Sequence, residues 1–230
     1  SSYQYLHVQD ITLWSISDMK TKYEKWVRWI NVICNDVEYL CYNKYIFLEV
    51  RKIINANADL DHDNVFYDLL DNAYANIGAM GIRRQVKIDS QSISLARLLE
   101  DIRKNPELVS IENYRSLYHG PIKELAVSHF KEFKAHDHDH IDPDMIERDL
   151  ASLRKNADSC ERFADRRLAH SDKRKVNPHP NFGDLDICID LMKELAEKYR
   201  LILTAQNVSL TSRILDDWKA VFRVPWIDEK

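Results

Sequence analysis

Apolar residues recur at spacings of three and four along four segments of the chain, and this periodicity constrains the fold more than any other feature. The segments are residues 23–48, 66–80, 146–168 and 185–202. Such spacing places the apolar side chains on one face of an α-helix, where another helix can bury them. The 230 residues include only four glycines and six prolines, which favours long helices over a turn-rich β fold. The sequence therefore predicts an all-α protein, an antiparallel helical bundle with extra short helices.

Each segment predicts a stripe of residues that faces the core. The four stripes are Tyr23, Val27, Ile30, Cys34, Val37, Cys41, Tyr45 and Leu48; Phe66, Leu70, Ala73, Ile77 and Met80; Ile146, Leu150, Leu153, Ala157, Cys160, Ala164 and Leu168; and Leu185, Cys188, Met192, Leu195, Tyr199 and Ile202.

Start and stop signals give approximate helix bounds. The first helix should begin near Asp18, and the second should run from about Asn64 to Arg84. Ser90 or Ser92 is the expected N-cap of a short third helix. Gly78 and Gly81 permit either a close approach of the second helix to a neighbour or a local distortion near its end.

Asp142 followed by Pro143 predicts the start of the long helix that leads to residue 170. No linker composition divides the chain. We therefore expect one domain over residues 1–230, with core helices at about 18–205 and a C-terminal tail at 206–230.

Composition narrows the class of protein. The chain is 45% hydrophobic and 30% charged, as is typical of globular proteins, and no apolar run approaches the roughly 20 residues of a membrane span. No signal peptide is recognisable. The four cysteines form no C-x-x-C pair and continue helical stripes, which predicts core residues in a reducing compartment. The expected location is the cytoplasm, away from membranes.

Residues 162–175 form a basic island on an acidic protein. The segment has a formal charge of +4, whereas the whole chain has −4. An island of this kind predicts an anionic partner such as a phosphate. His170 lies inside it and is a candidate proton-transfer group, because the unperturbed pKa of histidine, about 6.5, is close to working pH.

Helical geometry arranges this island. Arg162, Arg166 and His170 fall one turn apart on a single face, and Arg167 projects close to the middle of the apolar stripe. An arginine in that position needs an acidic partner, an interface or an opening to solvent. The alternative interpretation is a basic helix C-terminus that complements the helix dipole, with Arg167 in an internal ion pair.

Two stretches resemble the HEPN superfamily, and in particular its abortive-infection (Abi-like) branch. One is F-A-D-R-R-L-A-H-S-D at residues 163–172. The other is A-Y-A-N-I-G-A-M-G-I-R-R at residues 73–84, with S-I-S at 92–94 and L-L at 98–99. The resemblance covers residues 20–205 loosely, and its specific part is short. It implies an all-α bundle, a homodimer, and RNA cleavage without a metal in phage-defence or toxin–antitoxin systems.

The implied reaction and the charge pattern together nominate several residues. The resemblance implies that no cofactor is needed. RNA cleavage needs a proton-transfer group, which His170 could supply, and cations for the phosphorane charge, for which Arg166 and Arg167 are the candidates. RNA and an antitoxin or another protein are the implied partners. The residues assigned to RNA binding are Arg162, Arg83, Arg84, Lys173 and Arg174.

The chain departs from the family pattern at one point. The family's catalytic arginine is separated from the histidine by four to six residues, and here those positions hold Asp165, Ala164 and Phe163. Either Arg83 or Arg84 substitutes from another helix, or the protein is a binding or regulatory member. A second hypothesis is therefore a non-catalytic helical interaction module whose Arg/His cluster is an ion-pair network at a dimer seam.

The segment H-D-H-D-H at residues 136–140 is a weak candidate for metal binding. His136, His138 and His140 would share one side of an extended chain, and imidazole suits zinc. A metal-regulated sensor is the third hypothesis. Because five successive polar residues offer no apolar area to offset ordering entropy, residues 136–142 should be exposed and poorly ordered without metal. The chain has no phosphate-binding glycine loop, G-x-S-x-G or H-E-x-x-H motif, which disfavours nucleotide hydrolysis, serine hydrolysis and zinc proteolysis.

Overall fold

The protein is an all-α helical bundle, as predicted. The computed structural model describes residues 6–60, 64–164, 181–210 and 217–225, and for residues 6–19 it describes the backbone only. Within these ranges the helices are α1 (Leu6–Ala56), α2 (Val65–Val86), α3 (Leu95–Arg103), α4 (Ile111–Ser116), α5 (Lys123–Phe130), α6 (Pro143–Phe163) and α7 (Phe182–Thr204). Three 3₁₀ turns, Pro106–Leu108, Gly120–Ile122 and Trp218–Arg223, complete them.

Four long helices alternate in direction. From the N- to the C-terminus of α1, its contacts run backwards along α2. Asp36 pairs with Arg84, Phe47 stacks on Tyr74, and Arg51 pairs with Asp71, so α1 and α2 are antiparallel. Helix α7 is also antiparallel to α1, because Tyr23 Oη donates to the Leu203 carbonyl and Lys44 pairs with Asp190. Helix α6 runs against α7, where the Tyr199 hydroxyl donates to Asp149 at 2.8 Å. The predicted antiparallel arrangement is confirmed for these helices.

The stripes predicted for α6 and α7 are confirmed. Every described member of the α6 stripe is fully buried, and the α7 stripe is buried throughout; Leu168 lies outside the described residues. The helix starts predicted at Asp142 and near Asn64 are confirmed, and both residues are N-caps. The Asp142 side chain accepts from Asp144 N–H ahead of Pro143, and the Asn64 side chain accepts from Phe66 N–H.

The predicted stripes of α1 and α2 are rotated from the observed ones. On α1 the buried face includes Trp26, Ile33, Leu40 and Phe47, which the prediction omits, while Tyr45 is exposed. Helix α1 contacts α2, α3 and α7, so its buried face is wider than one stripe. On α2 the prediction is wrong: Phe66 and Met80 are exposed, and the buried residues are Tyr74, Gly78, Ala79, Gly81, Ile82, Gln85 and Val86.

Two helix starts also differ from prediction. Helix α1 begins at Leu6 rather than near Asp18, because neither glycine nor proline interrupts the chain before Gly78. Ser94, not Ser90 or Ser92, caps α3: its hydroxyl accepts from Arg97 N–H at 3.1 Å. The position of the α3 cap therefore depended on the geometry of the preceding loop, which the sequence pattern did not specify.

Gly81 explains which face of α2 packs on α1. A Cβ atom built on Gly81 would lie 3.0 Å from Cδ1 and 3.1 Å from Cγ of Leu40, a residue that is buried. A Cβ on Gly78 would meet Leu185 of α7 at an ordinary 3.4 Å. Only Gly81 therefore marks a contact between helices that a methyl group would disrupt.

The two glycines give a matched test of this contact. We expect Gly81→Ala to destabilise the protein by about 1–3 kcal/mol, because Leu40 must move within a packed core. Gly78→Ala should be neutral or stabilising by up to about 1 kcal/mol, because alanine favours the helix and finds room. Urea unfolding of both variants measures this. Equal effects of the two substitutions would show that the Gly81–Leu40 contact does not limit the packing.

Candidate functional site

A cleft opens between α1 and the C-terminal half of α2. It has a volume of about 400 Å³. Three basic residues line it, and no acidic residue in the described part of the chain does so. We call it the basic cleft, and its lining residues are Tyr39, Leu40, Ile77, Met80, Gly81, Arg83, Arg84, Lys87 and Ser92.

The helix geometry places apolar and basic groups side by side in the basic cleft. Ile77, Gly81 and Arg84 recur at spacings of four and three, so they follow one another along one face of α2. The apolar part thus gives way to cations within a single helical turn. The positive charges sit in the last turn of α2, where they complement the helix dipole.

Asp36 on α1 holds this end of α2. Its carboxylate pairs with Arg84 at 3.1 Å through one oxygen and accepts from the Gln85 side chain at 2.9 Å through the other. The Arg84 side chain remains half exposed. Because an exposed ion pair contributes only about 0–1 kcal/mol, Arg84 can exchange Asp36 for another anion at little cost.

Gln85 joins three helices. It is fully buried, and its carboxamide donates to Asp36 of α1 and accepts from the Leu95 N–H of α3 at 3.0 Å. Sequence analysis missed this residue, because a glutamine within an apolar helix carries no distinctive signal. Its hydrogen bonds hold α3 against α2 and so position the two ends of the loop between them, which lines the basic cleft at Ser92.

The loop after α2 is held by its own side chains. Asp89 accepts from the backbone N–H groups of Gln91 and Ser92, each at 2.8 Å. Hydrogen bonds from Gln91 and Ser92 lower the pKa of Asp89. The Ser94 hydroxyl donates to the Lys87 carbonyl. Ser92 therefore occupies a defined position at the edge of the basic cleft.

Of the residues nominated for RNA binding, the structure describes Arg83, Arg84 and Arg162. The first two line the basic cleft, whereas Arg162 lies near the end of α6, where it pairs with Asp158 at 2.6 Å. His170, Arg166, Arg167, Lys173 and Arg174 lie outside the described residues. The prediction that His170 acts with two arginines therefore stays a prediction.

Arg162 and the basic cleft belong to different levels of the bundle. Because α6 and α7 are antiparallel, the end of α6 lies near the start of α7, where Asp186 accepts from the Tyr74 hydroxyl of α2. Arg84 lies about 15 Å further along α2 than Tyr74. A ligand that reached both surfaces would have to follow the side of the bundle.

The histidine-rich segment is partly as predicted. Residues 136–139 are exposed, but Ile141 is fully buried, so the prediction of exposure is wrong there. Backbone hydrogen bonds join Asp139, Ile141 and Asp142 at the C-terminal end of the segment to Ile111, Val109 and Phe133. Sequence analysis missed these partners because they are distant in sequence. The prediction of poor order without metal stays a prediction.

His138 and His140 stack with ring centroids 4.9 Å apart, and His136 points into solvent. Among the described residues, no three His, Cys, Asp or Glu side chains are placed to hold a metal ion. The described residues therefore provide no set of metal ligands that would support the metal-sensor hypothesis.

The cysteines are core residues, as predicted. Cys34, Cys160 and Cys188 are buried and Cys41 is half-buried. Burial raises the pKa of Cys188 to about 12 and that of Cys41 to about 11, so both remain neutral thiols at physiological pH. They are poor candidates for nucleophiles.

The chain was compared with models of known protein families, with curated proteins and with solved structures, and none matches it. Among the described helices, none has the length and apolar character needed to cross a membrane.

Replacing Gln85 tests whether the junction of three helices supports the basic cleft. We expect Gln85→Met to destabilise the protein by about 1–3 kcal/mol, because it leaves the Leu95 N–H buried without an acceptor. Gln91→Met, at an exposed position in the loop after α2, is the control and should change stability by less than about 0.5 kcal/mol. Urea unfolding of both variants measures this. If Gln85→Met is as stable as the wild type, the hydrogen bonds of Gln85 do not support the basic cleft.

Proposed function

We propose that the protein is an RNA-directed member of the HEPN type that acts in a phage-defence or toxin–antitoxin system and binds RNA at the basic cleft. The observation that carries this proposal is the cleft itself, in which Arg83, Arg84 and Lys87 converge on a protein of formal charge −4. Two of these three cations belong to the stretch on which the resemblance rests.

Electrostatics supports an RNA ligand. Phosphate contacts by Arg and Lys supply most of the affinity of non-specific nucleic-acid binding. Arg84 is half exposed, and Lys87 is exposed beyond the end of α2. An RNA backbone along this surface would meet several cations without a change in the helices.

The proposed chemistry is cleavage without a metal. The 2′-hydroxyl of RNA attacks the adjacent phosphorus, the bond to the 5′-oxygen breaks, and a 2′,3′-cyclic phosphate forms. His170 would transfer the proton, and Arg166 and Arg167 would stabilise the charge that develops on the phosphorane. A homodimer would bring two such sites together.

A second candidate function has its own support. Arg84 pairs with Asp36 and Arg162 pairs with Asp158, so two of the arginines nominated for RNA binding already contact acids. This observation favours a non-catalytic interaction module in which the arginines are structural. The two functions differ in what Arg84→Ala does: it weakens RNA binding in the first, and lowers only stability or partner binding in the second.

RNA binding should depend on Lys87. We expect Lys87→Ala to weaken binding of a labelled RNA and to reduce the slope of log K against log salt by roughly 0.7 to 1, because one phosphate contact is lost. Lys131→Ala, at an exposed position after α5, is the control and should leave the slope unchanged. Fluorescence anisotropy at several salt concentrations measures both. If the two variants behave alike, the basic cleft is not the RNA-binding surface.

Cleavage should depend on His170. We expect His170→Ala to lower the rate of RNA cleavage by a factor of about 10² or more with folding retained, because proton transfer is lost. EDTA should have no effect, and the products should carry 2′,3′-cyclic phosphate ends. His136→Ala, at a fully exposed position, is the control. Equal rates for wild type and His170→Ala would remove His170 from the mechanism.

A further inference from the structure

We propose that the basic cleft binds one unstacked nucleotide of a single-stranded RNA, with the base against Tyr39 and Met80 and its phosphate beside Arg83 and Lys87. This inference rests on the proposed RNA-directed function and names the form of RNA that the site takes. Its basis is the division of the lining into an apolar part and a basic part.

The apolar part suits a flat ring. Leu40, Ile77, Met80 and Gly81 supply it, and the absence of a Cβ at Gly81 keeps α1 and α2 close at its floor. Met80 is exposed although it is a large apolar residue, so a ligand that covered it would gain apolar contact. A phosphate alone would leave this surface uncovered.

The basic part lies at the distance that a nucleotide needs. One helical turn, about 5.4 Å, separates the level of Met80 from that of Arg84, and Lys87 follows within the next turn. A single ligand that presents a ring at one end and an anion at the other can therefore contact both. The volume of about 400 Å³ falls at the small end of the range for ligand pockets.

Tyr39 is the aromatic residue that lines the basic cleft. It is 55% exposed. The two tryptophans of α1 whose side chains the structure describes are already occupied. Trp26 is fully buried and donates to Asp101, and cations of Lys25 and Arg97 lie over the Trp29 ring at 4.6 and 4.5 Å. Exposed aromatic rings beside cations are the usual platforms for unpaired bases.

Two carboxylates lie close to the basic cleft, and both already have hydrogen-bonding partners. Asp36 is engaged by Arg84 and Gln85, and Asp89 is engaged by the backbone of its own turn. The described residues that line the basic cleft include three basic and no acidic side chains, so the lining itself attracts an anion.

A base can reach Tyr39 only when it leaves its stack. The faces of paired bases are hidden within a duplex, whereas single-stranded loops and ends present them. A cleft that offers an aromatic face to a base therefore selects single-stranded RNA over a duplex.

The test compares Tyr39→Leu with Tyr42→Leu, since Tyr42 is an exposed tyrosine of α1 outside the basic cleft. Fluorescence anisotropy measures binding of a single-stranded RNA, an abasic strand of equal length and an RNA duplex. We expect Tyr39→Leu to weaken binding of the single strand by about 10-fold to 100-fold with an unchanged salt slope, and to leave the abasic strand unaffected. Tyr42→Leu should match the wild type. Circular dichroism establishes that both variants are folded.

The outcomes separate this inference from the function on which it rests. If wild-type protein binds RNA and Tyr39→Leu weakens the intact and abasic strands equally, or not at all, base stacking is wrong while RNA binding stands. Tighter binding of the duplex than of the single strand would also overturn it. If RNA does not bind but adenosine monophosphate does, with the same dependence on Tyr39, the ligand is a free nucleotide and the RNA function fails. If neither binds, both proposals fail.

Discussion

The close contact of Gly81 with Leu40 is the constraint on which the rest of the site depends. It brings α2 against α1 and so places Gln85 and Arg84 within reach of Asp36. Gln85 in turn holds the first N–H of α3, and the loop between α2 and α3 takes its position from both ends. The basic cleft is the space that remains beside this contact, between Tyr39 and the last turns of α2.

The polar contacts of the site contribute more to stability where they are buried than where they meet solvent. Gln85 is a buried neutral group with two hydrogen bonds, and losing them would cost about 1–3 kcal/mol. The ion pair of Arg84 with Asp36 is half exposed and contributes far less. In the proposed function, stability and ligand binding rest on different members of one cluster: Gln85 keeps the helices in place, and Arg84 binds the ligand.

The interaction-module hypothesis and the RNA hypothesis use the same residues in different ways. In the first, Asp36 and Asp158 are the final partners of Arg84 and Arg162. In the RNA hypothesis, these two aspartates are exchangeable partners that a phosphate of the RNA replaces. Lys87, Arg83 and Arg84 line the same cleft as the exposed Tyr39. This arrangement favours the RNA hypothesis, because an internal ion-pair network does not require an exposed aromatic ring.

The sequence by itself determined the all-α class, the stripes of α6 and α7, the cap at Asp142 and the start of α2 near Asn64, because helical periodicity and capping are local properties. It also nominated Arg83 and Arg84 for RNA binding; both line the basic cleft, and the role in RNA binding stays a prediction. Lys87 could have been added, since it follows Arg84 by one helical turn. Only the tertiary structure decided which face of α2 is buried: small residues pack by shape, and a hydrophobic pattern gives glycine no weight. Only the tertiary structure brought Tyr39, Asp36 and Gln85 to the same cleft, because the partners of a buried polar group lie on other helices.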